Sequence, residues 1–141
     1  MVTLDPPAKK AIMDAITEAE RMTSGEIRVH LQKKCKDDVM YEAKKVFRRL
    51  KMHKTKHHNA VLIFIAMESR RFAILGDSGV HHHVGGSYWT EIRDKMASHF
   101  VKGEMLEGII VGVLSVGEKL KAHFPLEPND RNELPNEITK S

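Results

Sequence analysis

The chain has 141 residues, a formal net charge of +4 and one cysteine, with 41% hydrophobic and 30% charged residues. That length suits one domain and leaves little room for two, and the composition is that of an ordinary globular protein able to bury a core without disulfide staples. The lone Cys35 excludes an intrachain disulfide, which fits a reducing compartment.

Met1 to Leu4 runs straight into Asp5-Pro6-Pro7, which is no apolar signal core. The longest unbroken apolar run is Ala60 to Met67, and its eight residues are too few to span a bilayer as a helix. A cytoplasmic protein with no membrane span is therefore expected.

Asp5 is placed to cap a first helix, with Pro6 at its first position, where a missing N–H costs nothing. Ala8, Ile12, Ala15, Ile16 and Ala19 recur at helical spacing, and Ser24-Gly25 stops the helix. Ile27, Val29 and Leu31 then alternate with Arg28, His30 and Gln32, which predicts a strand with one buried face. Asp37 and Asp38 open a second helix at its positive end, and Val39, Ala43, Val46, Phe47 and Leu50 form its inner stripe.

Between Lys44 and His58 lie seven Lys or Arg residues and no acid. Nucleic acid or an anionic surface is one reading of this excess. A solvated helix face followed by a basic loop, Lys51 to His58, is the plainer one, because no aromatic platform interleaves the charges. Nucleic acid is thus the less favoured partner.

Ala60 to Ala66 is continuously apolar and rich in β-branched residues, as a strand covered on both faces would be. A tight turn at Glu68-Ser69-Arg70 leads into Arg71 to Leu75, so the two strands should form an antiparallel hairpin. Gly76-Asp77-Ser78-Gly79 breaks the pattern, and a short turn of helix is expected from Val80 to Val84. Ser87 can cap a helix carrying Trp89, Ile92, Met96 and Phe100. Gly103 separates it from a last helix, whose Gly108 and Gly112 leave a smooth strip for a close neighbour. Gly117 is expected to loosen that helix, and Pro125 to end it.

From Pro125 the composition shifts to three prolines and four acids against two bases. The chain is therefore read as an α/β domain over 1–124 and an extended acidic tail over 125–141, pinned by Leu126, Leu134 and Ile138. The order α-β-α-β-β-α-α puts helices on both faces of a small mixed sheet.

Three groups of residues could carry chemistry. The first is the loop around Asp77, followed by His81, His82 and His83. Asp77 offers a hard oxygen to a cation, and imidazole is a borderline ligand. Successive helical residues point about 100° apart, so at most one or two of the three could converge with Asp77, and His81 and His83 are the candidates. A turn-forming Asp beside a solvated histidine patch is the plainer account. The second group is Lys54 to Asn59: Lys54 and Lys56 could attract phosphate, and Asn59 could bond a ligand or the neighbouring loop. No G-x-x-x-x-G-K-[ST] motif is present, and a basic loop is the plainer account of the segment. The third is acidic. Glu26 could join Asp77 if the two strand ends meet, and Asp37 and Asp38 could do so if their loop shares an edge with it. Otherwise Asp37 and Asp38 are helix-capping acids.

Nucleophilic catalysis has little support. Lys33, Lys34 and Lys36 beside Cys35 could lower its pKa, but a lone cysteine is more often packing. No G-x-S-x-G, H-E-x-x-H or C-x-x-C occurs.

Ser24-Gly25-Glu26-Ile27-Arg28-Val29 resembles the opening of the TPM domain family. His58-Asn59-Ala60-Val61-Leu62-Ile63 is similar to that family's N-G-V-L-I segment, with Ala60 in place of glycine. Arg70 through Val80 resembles its third strand and glycine loop. Val84-Gly85, Trp89, Phe100, Gly103, His123-Phe124-Pro125 and Asn129 to Pro135 fit a short, single-domain bacterial subgroup.

The resemblance implies a Rossmann-like three-layer α/β/α sandwich around a small, mostly four-stranded sheet. It also implies a divalent cation such as calcium or magnesium, for which Asp77 is the first candidate ligand. Zinc through the histidines is an expectation from their own chemistry, since the histidine run is no hallmark of the family. Parts of the family are similar to acid phosphatases. The expectation for this chain is a soluble, non-catalytic module that binds a cation and a protein partner. A metal-assisted phosphatase acting on phosphomonoesters is the alternative.

Overall fold

Asp5 Oδ1 accepts the Ala8 N–H at 2.9 Å and starts α1 (Pro6–Glu20), the cap and proline that the sequence predicts. In this computed structural model, residues 4–80, 86–126 and 138–140 are described. β1 (Glu26–Gln32) follows, then α2 (Val39–Arg49), capped by Asp38 through the Tyr41 N–H. One 3-10 turn, Met52–Lys54, precedes β2 (Ala60–Ala66) and β3 (Arg71–Gly76). Residues 78–80 are helical, and the remainder of the turn expected to Val84 lies outside the described residues.

α3 (Gly86–Val101) closes with Gly103 at a positive φ of 81°. The Glu104 N–H reaches His99 O and the Gly103 N–H reaches Phe100 O, at 2.9 and 3.0 Å. This double closure satisfies orphan carbonyls, and glycine takes the left-handed residue without a Cβ clash. α4 (Met105–His123) follows, and a bridge between Thr23 and Pro125 ties its far end to the start of β1.

β1 and β2 run parallel, from Glu26 against Ala60 to Gln32 against Ala66. β2 and β3 form the expected antiparallel hairpin, from Val61 against Gly76 to Ala66 against Arg71. These three strands make the body of a mixed sheet. A short β4 (Ile138–Lys140) runs parallel to β1 along its other side, giving the order β3-β2-β1-β4. Ile138–Lys140 thus return to the sheet, whereas Leu126 is exposed.

The strand alternation divides the core. Ile27, Val29, Leu31, Val61, Ile63 and Ile65 meet α1, α3 and α4 on one face. Ala60, Leu62 and Phe64 meet α2 and Met52 on the other. Met52 is fully buried, so the basic loop is anchored in its first turn rather than being solvated throughout.

Two expectations need correction. β1 is buried on both faces: Glu26, Arg28 and His30 are as inaccessible as Ile27 and Val29. The register places its polar residues beside Ala60, Leu62 and Phe64, on the face that α2 and Met52 cover, and there His30 stacks on Phe64 with ring centroids 5.7 Å apart. Gly117 does not loosen α4. It lets α1 approach, because a Cβ there would lie 2.7 Å from Ala19 Cβ and 3.1 Å from Ala19 Cα.

At Gly112 the three nearest atoms to an added Cβ would all belong to the Met96 side chain, its sulfur at 2.5 Å. A flexible methionine can move away, whereas the α1 backbone cannot. Gly117→Ala should therefore destabilise the fold by about 1–3 kcal/mol. Gly112→Ala should be close to neutral, since it recovers about 1 kcal/mol of helix propensity. Denaturant midpoints of the two variants check this; equal losses would refute the assignment of Gly117 to the α1 contact.

Candidate functional site

Because β3 runs against β1 and β2, the loop after β3 arrives at the N-terminal ends of the other two strands. Asp77 N–H donates to Ala60 O at 2.9 Å, and Ala60 lies beside Glu26 in the sheet. Asn59, Glu26 and Asp77 therefore gather at one edge. Gly79 locks the loop there. Its N–H donates to His58 O at 2.9 Å, and a Cβ would stand 2.5 Å from His57 O. Any side chain at Gly79 would displace backbone.

Asp77 is held by both carboxylate oxygens. Oδ1 accepts the Ser78 N–H at 2.8 Å, and Oδ2 faces His58 Nδ1 at 3.3 Å. The Asp77 side chain is 12% exposed and that of His58 56% exposed. His58 adopts a positive φ of 50°, which turns the basic loop toward Asp77. Asn59 is 1% exposed, and neither Oδ1 nor Nδ2 has a hydrogen-bond partner among the described residues. Such a group costs free energy unless something pairs with it. Lys54 and Lys56 are exposed on the approach to this edge.

Asp37 and Asp38 do not join Asp77. They follow the C-terminal end of β1, and the parallel register carries them to the opposite edge of the sheet. Asp38 is spent as the α2 cap, and Asp37 O accepts from Arg71 Nη1 at 3.4 Å and from Cys35 Sγ at 3.1 Å. The shared edge that would unite these acids is absent. His81 and His83 lie outside the described residues. Among the described residues, no three His, Cys, Asp or Glu side chains form a metal-holding group.

Cys35 is buried, with its N–H bonded to Ser69 Oγ at 2.8 Å. Burial pushes its thiol pKa up, and Glu42 adds to this, so the neighbouring lysines do not activate it.

Glu20 was not singled out from the sequence. It is 7% exposed, and its Oε2 accepts the Ile27 N–H at 2.9 Å. Its carboxyl is pushed from an ordinary 4.5 up to about 8, first by burial and then, against the Ile27 bond, by the charge and hydrogen bond of Glu26. Glu26 is thus one half of a buried carboxyl pair as well as a member of the Asp77 edge. The available signal was helical spacing: Glu20 follows Ile12 and Ile16 along the buried stripe of α1.

The pair makes stability fall as pH rises. Below 4.5 Glu20 is protonated in both folded and unfolded chains; above that only the unfolded chain releases its proton freely, until the folded group ionises near about 8. His30 acts oppositely, because burial lowers its pKa. The melting temperature of wild type should therefore drop relative to Glu20→Gln from about pH 5 to about pH 9, by on the order of 10 °C. Parallel pH profiles for the two proteins would show that Glu20 is not held protonated.

Among the described residues, no helix is long and apolar enough to cross a membrane. No curated protein matches the chain. Among solved structures it is similar to the BA42 protein of the psychrophilic bacterium Bizionia argentinensis, determined by NMR. That match has 41% identity and a TM-score of 0.93, over 99% of this chain and 97% of the other. The N-terminal domain of a P. gingivalis protein shares the fold at 23% identity and a TM-score of 0.71, over 86% of this chain and 79% of that one. The family model for the TPM domain matches residues 2–119, and with nearly the whole α/β unit inside that match, the chain belongs to the TPM domain family.

Proposed function

We propose that this chain is a non-catalytic TPM module that binds a divalent cation at the Asp77 edge and presents it to a protein partner. The observation that carries this is the Asn59 side chain, buried beside Asp77 with both polar atoms unpartnered among the described residues. A carboxylate and a carboxamide oxygen are hard donors, which suit calcium or magnesium. Two side chains do not make a closed cage. They fit a hard cation that keeps several of its waters, as magnesium does, or one that also takes oxygens from a partner. A closed zinc site would need more nitrogen or sulfur ligands than this edge offers among the described residues. Zinc through His81 and His83 remains a separate proposal.

The metal-free protein should be titrated with calcium, magnesium and zinc while backbone NMR signals are followed. Calcium or magnesium should move Asn59, Asp77, Ser78 and Gly79 and leave Asp37 and Asp38 in place. Asp77→Ala should weaken the binding at least about tenfold. Shifts at the histidines alone, and only with zinc, would reject the hard-cation site. An unmoved spectrum with all three ions would reject cation binding altogether.

One observation favours the phosphatase alternative: the loop that carries Lys54 and Lys56 ends at His58, whose ring meets Asp77. A bound cation would polarise a phosphoryl oxygen and activate water. Lys54 and Lys56 would neutralise the phosphate, while Asp77 and Asn59 would hold the cation. Metal-dependent turnover of a generic phosphomonoester, abolished in Asp77→Ala, is the expected result. No turnover in wild type across pH and metals, or turnover unchanged in the variant, would rule it out.

A further inference from the structure

We propose that the outward face of α2, continued by Lys51 and Lys54, binds single-stranded nucleic acid. The apolar side of this helix is committed to the core, with Ala43, Val46 and Phe47 buried. At about 100° per residue, Tyr41 falls in the middle of the opposite side, flanked by Arg48 and Lys45 and then by Lys44. The sequence argument against nucleic acid was that no aromatic platform interleaves the charges, and Phe47, the aromatic that does lie among them, is buried. Helical geometry supplies one from just outside the acid-free stretch.

Tyr41 is 56% exposed, and Lys45 Nζ lies 5.1 Å from its ring centroid. This cation–π contact holds a positive charge against one face of the exposed ring, so an aromatic surface and a phosphate-binding charge lie side by side. Lys44, Lys45, Arg48, Lys51 and Lys54 are all exposed, and none makes an ion pair with a carboxylate among the described residues. Five cations without counter-charges on a rigid helix and its following turn form a track for a polyanion.

The chemistry separates the possible polyanions. A helix that lies in a membrane surface inserts an apolar face. Here that face is packed on the sheet, and the outward arc carries no aliphatic side chain. An acidic peptide would satisfy the charges but make no use of the exposed ring. Bases of a single strand would stack on Tyr41 while their phosphates met the lysines and Arg48, as in sequence-tolerant single-strand sites.

The full chain should be titrated against a fluorescent oligothymidylate of about 12 nucleotides, within single-strand site sizes, with binding read by anisotropy. Five phosphate contacts predict a salt slope near −3.5, hence about 100-fold weaker binding at 200 mM than at 50 mM salt. Lys44→Glu combined with Arg48→Glu should weaken binding at least about tenfold and reduce the slope. Tyr41→Ala should weaken it by about fivefold or more with the slope unchanged, and Tyr41→Phe should restore it. Asp77→Ala should have no effect, which keeps this surface separate from the cation edge. NMR spectra of each variant confirm that the fold persists. No binding at 50 mM salt would overturn the proposal. So would equal binding to polyglutamate or to phosphatidylserine vesicles together with an indifferent Tyr41→Ala, because the face would then be a general anion attractor.

Discussion

The parallel register between β1 and β2 is the constraint on which the rest depends. It brings Glu26 beside Ala60, and the antiparallel β3 then brings Asp77 to the same end. One ladder thus decides which loops can meet. The Gly79 contact makes that meeting rigid, because the glycine loop sits directly on the carbonyls of His57 and His58. A one-residue slip would turn every side chain of β1 to the other face. It would place Ile27 and Val29 where Glu26 and Arg28 now lie, so the register is held by both faces at once.

That second face is unusual in its cost. Glu26, Arg28 and His30 are buried on a central strand, where aliphatic residues would pack without loss of hydration. The chain meets this cost in part by neutralising. Glu20 is held protonated against Glu26, His30 is driven toward its neutral form, and the His30 ring gains a stacked partner in Phe64. Replacing such buried polar groups by apolar ones is often stabilising. Their presence is therefore better explained by a demand for specificity of register or for function than by stability. The same Glu26 opens β1 at the end of the sheet to which the loop of Asp77 returns.

The sequence made the elements legible because each signal was local. The Asp5-Pro6 start, the unbroken apolar run of β2, the β2–β3 hairpin and the stop at Gly103 depend on neighbours within a few residues. The candidate site was legible only in part, because it depends on pairing. The hairpin reading already implied that Asp77 returns to the start of β2, next to Asn59. What it could not supply was the direction of β1, and that direction sends Asp37 and Asp38 away. Glu20 was missed for a different reason: a charged residue on a buried stripe looks like the end of the stripe until its partner is known. Tyr41 was missed by counting along the chain instead of around the helix.

The segment from Tyr41 to Asn59 ties the two surfaces together. It starts as the cationic face of α2, is anchored once by Met52, and ends at the buried carboxamide beside Asp77. Cationic side chains near a cation site would repel the metal if they pointed into it. Instead, the described lysines of this segment are exposed to solvent, where their charges are screened within about 8–10 Å. Asn59, the only residue of the segment placed in the edge itself with both polar atoms unpartnered among the described residues, is neutral. In the proposed cation site a neutral oxygen donor at that point would leave Asp77 to supply the charge, while the flanking cations would address the proposed anionic partner. Met52 and Thr55 are buried between the two ends of the segment, and Lys54, exposed between them in the chain, lies on the way from one surface to the other.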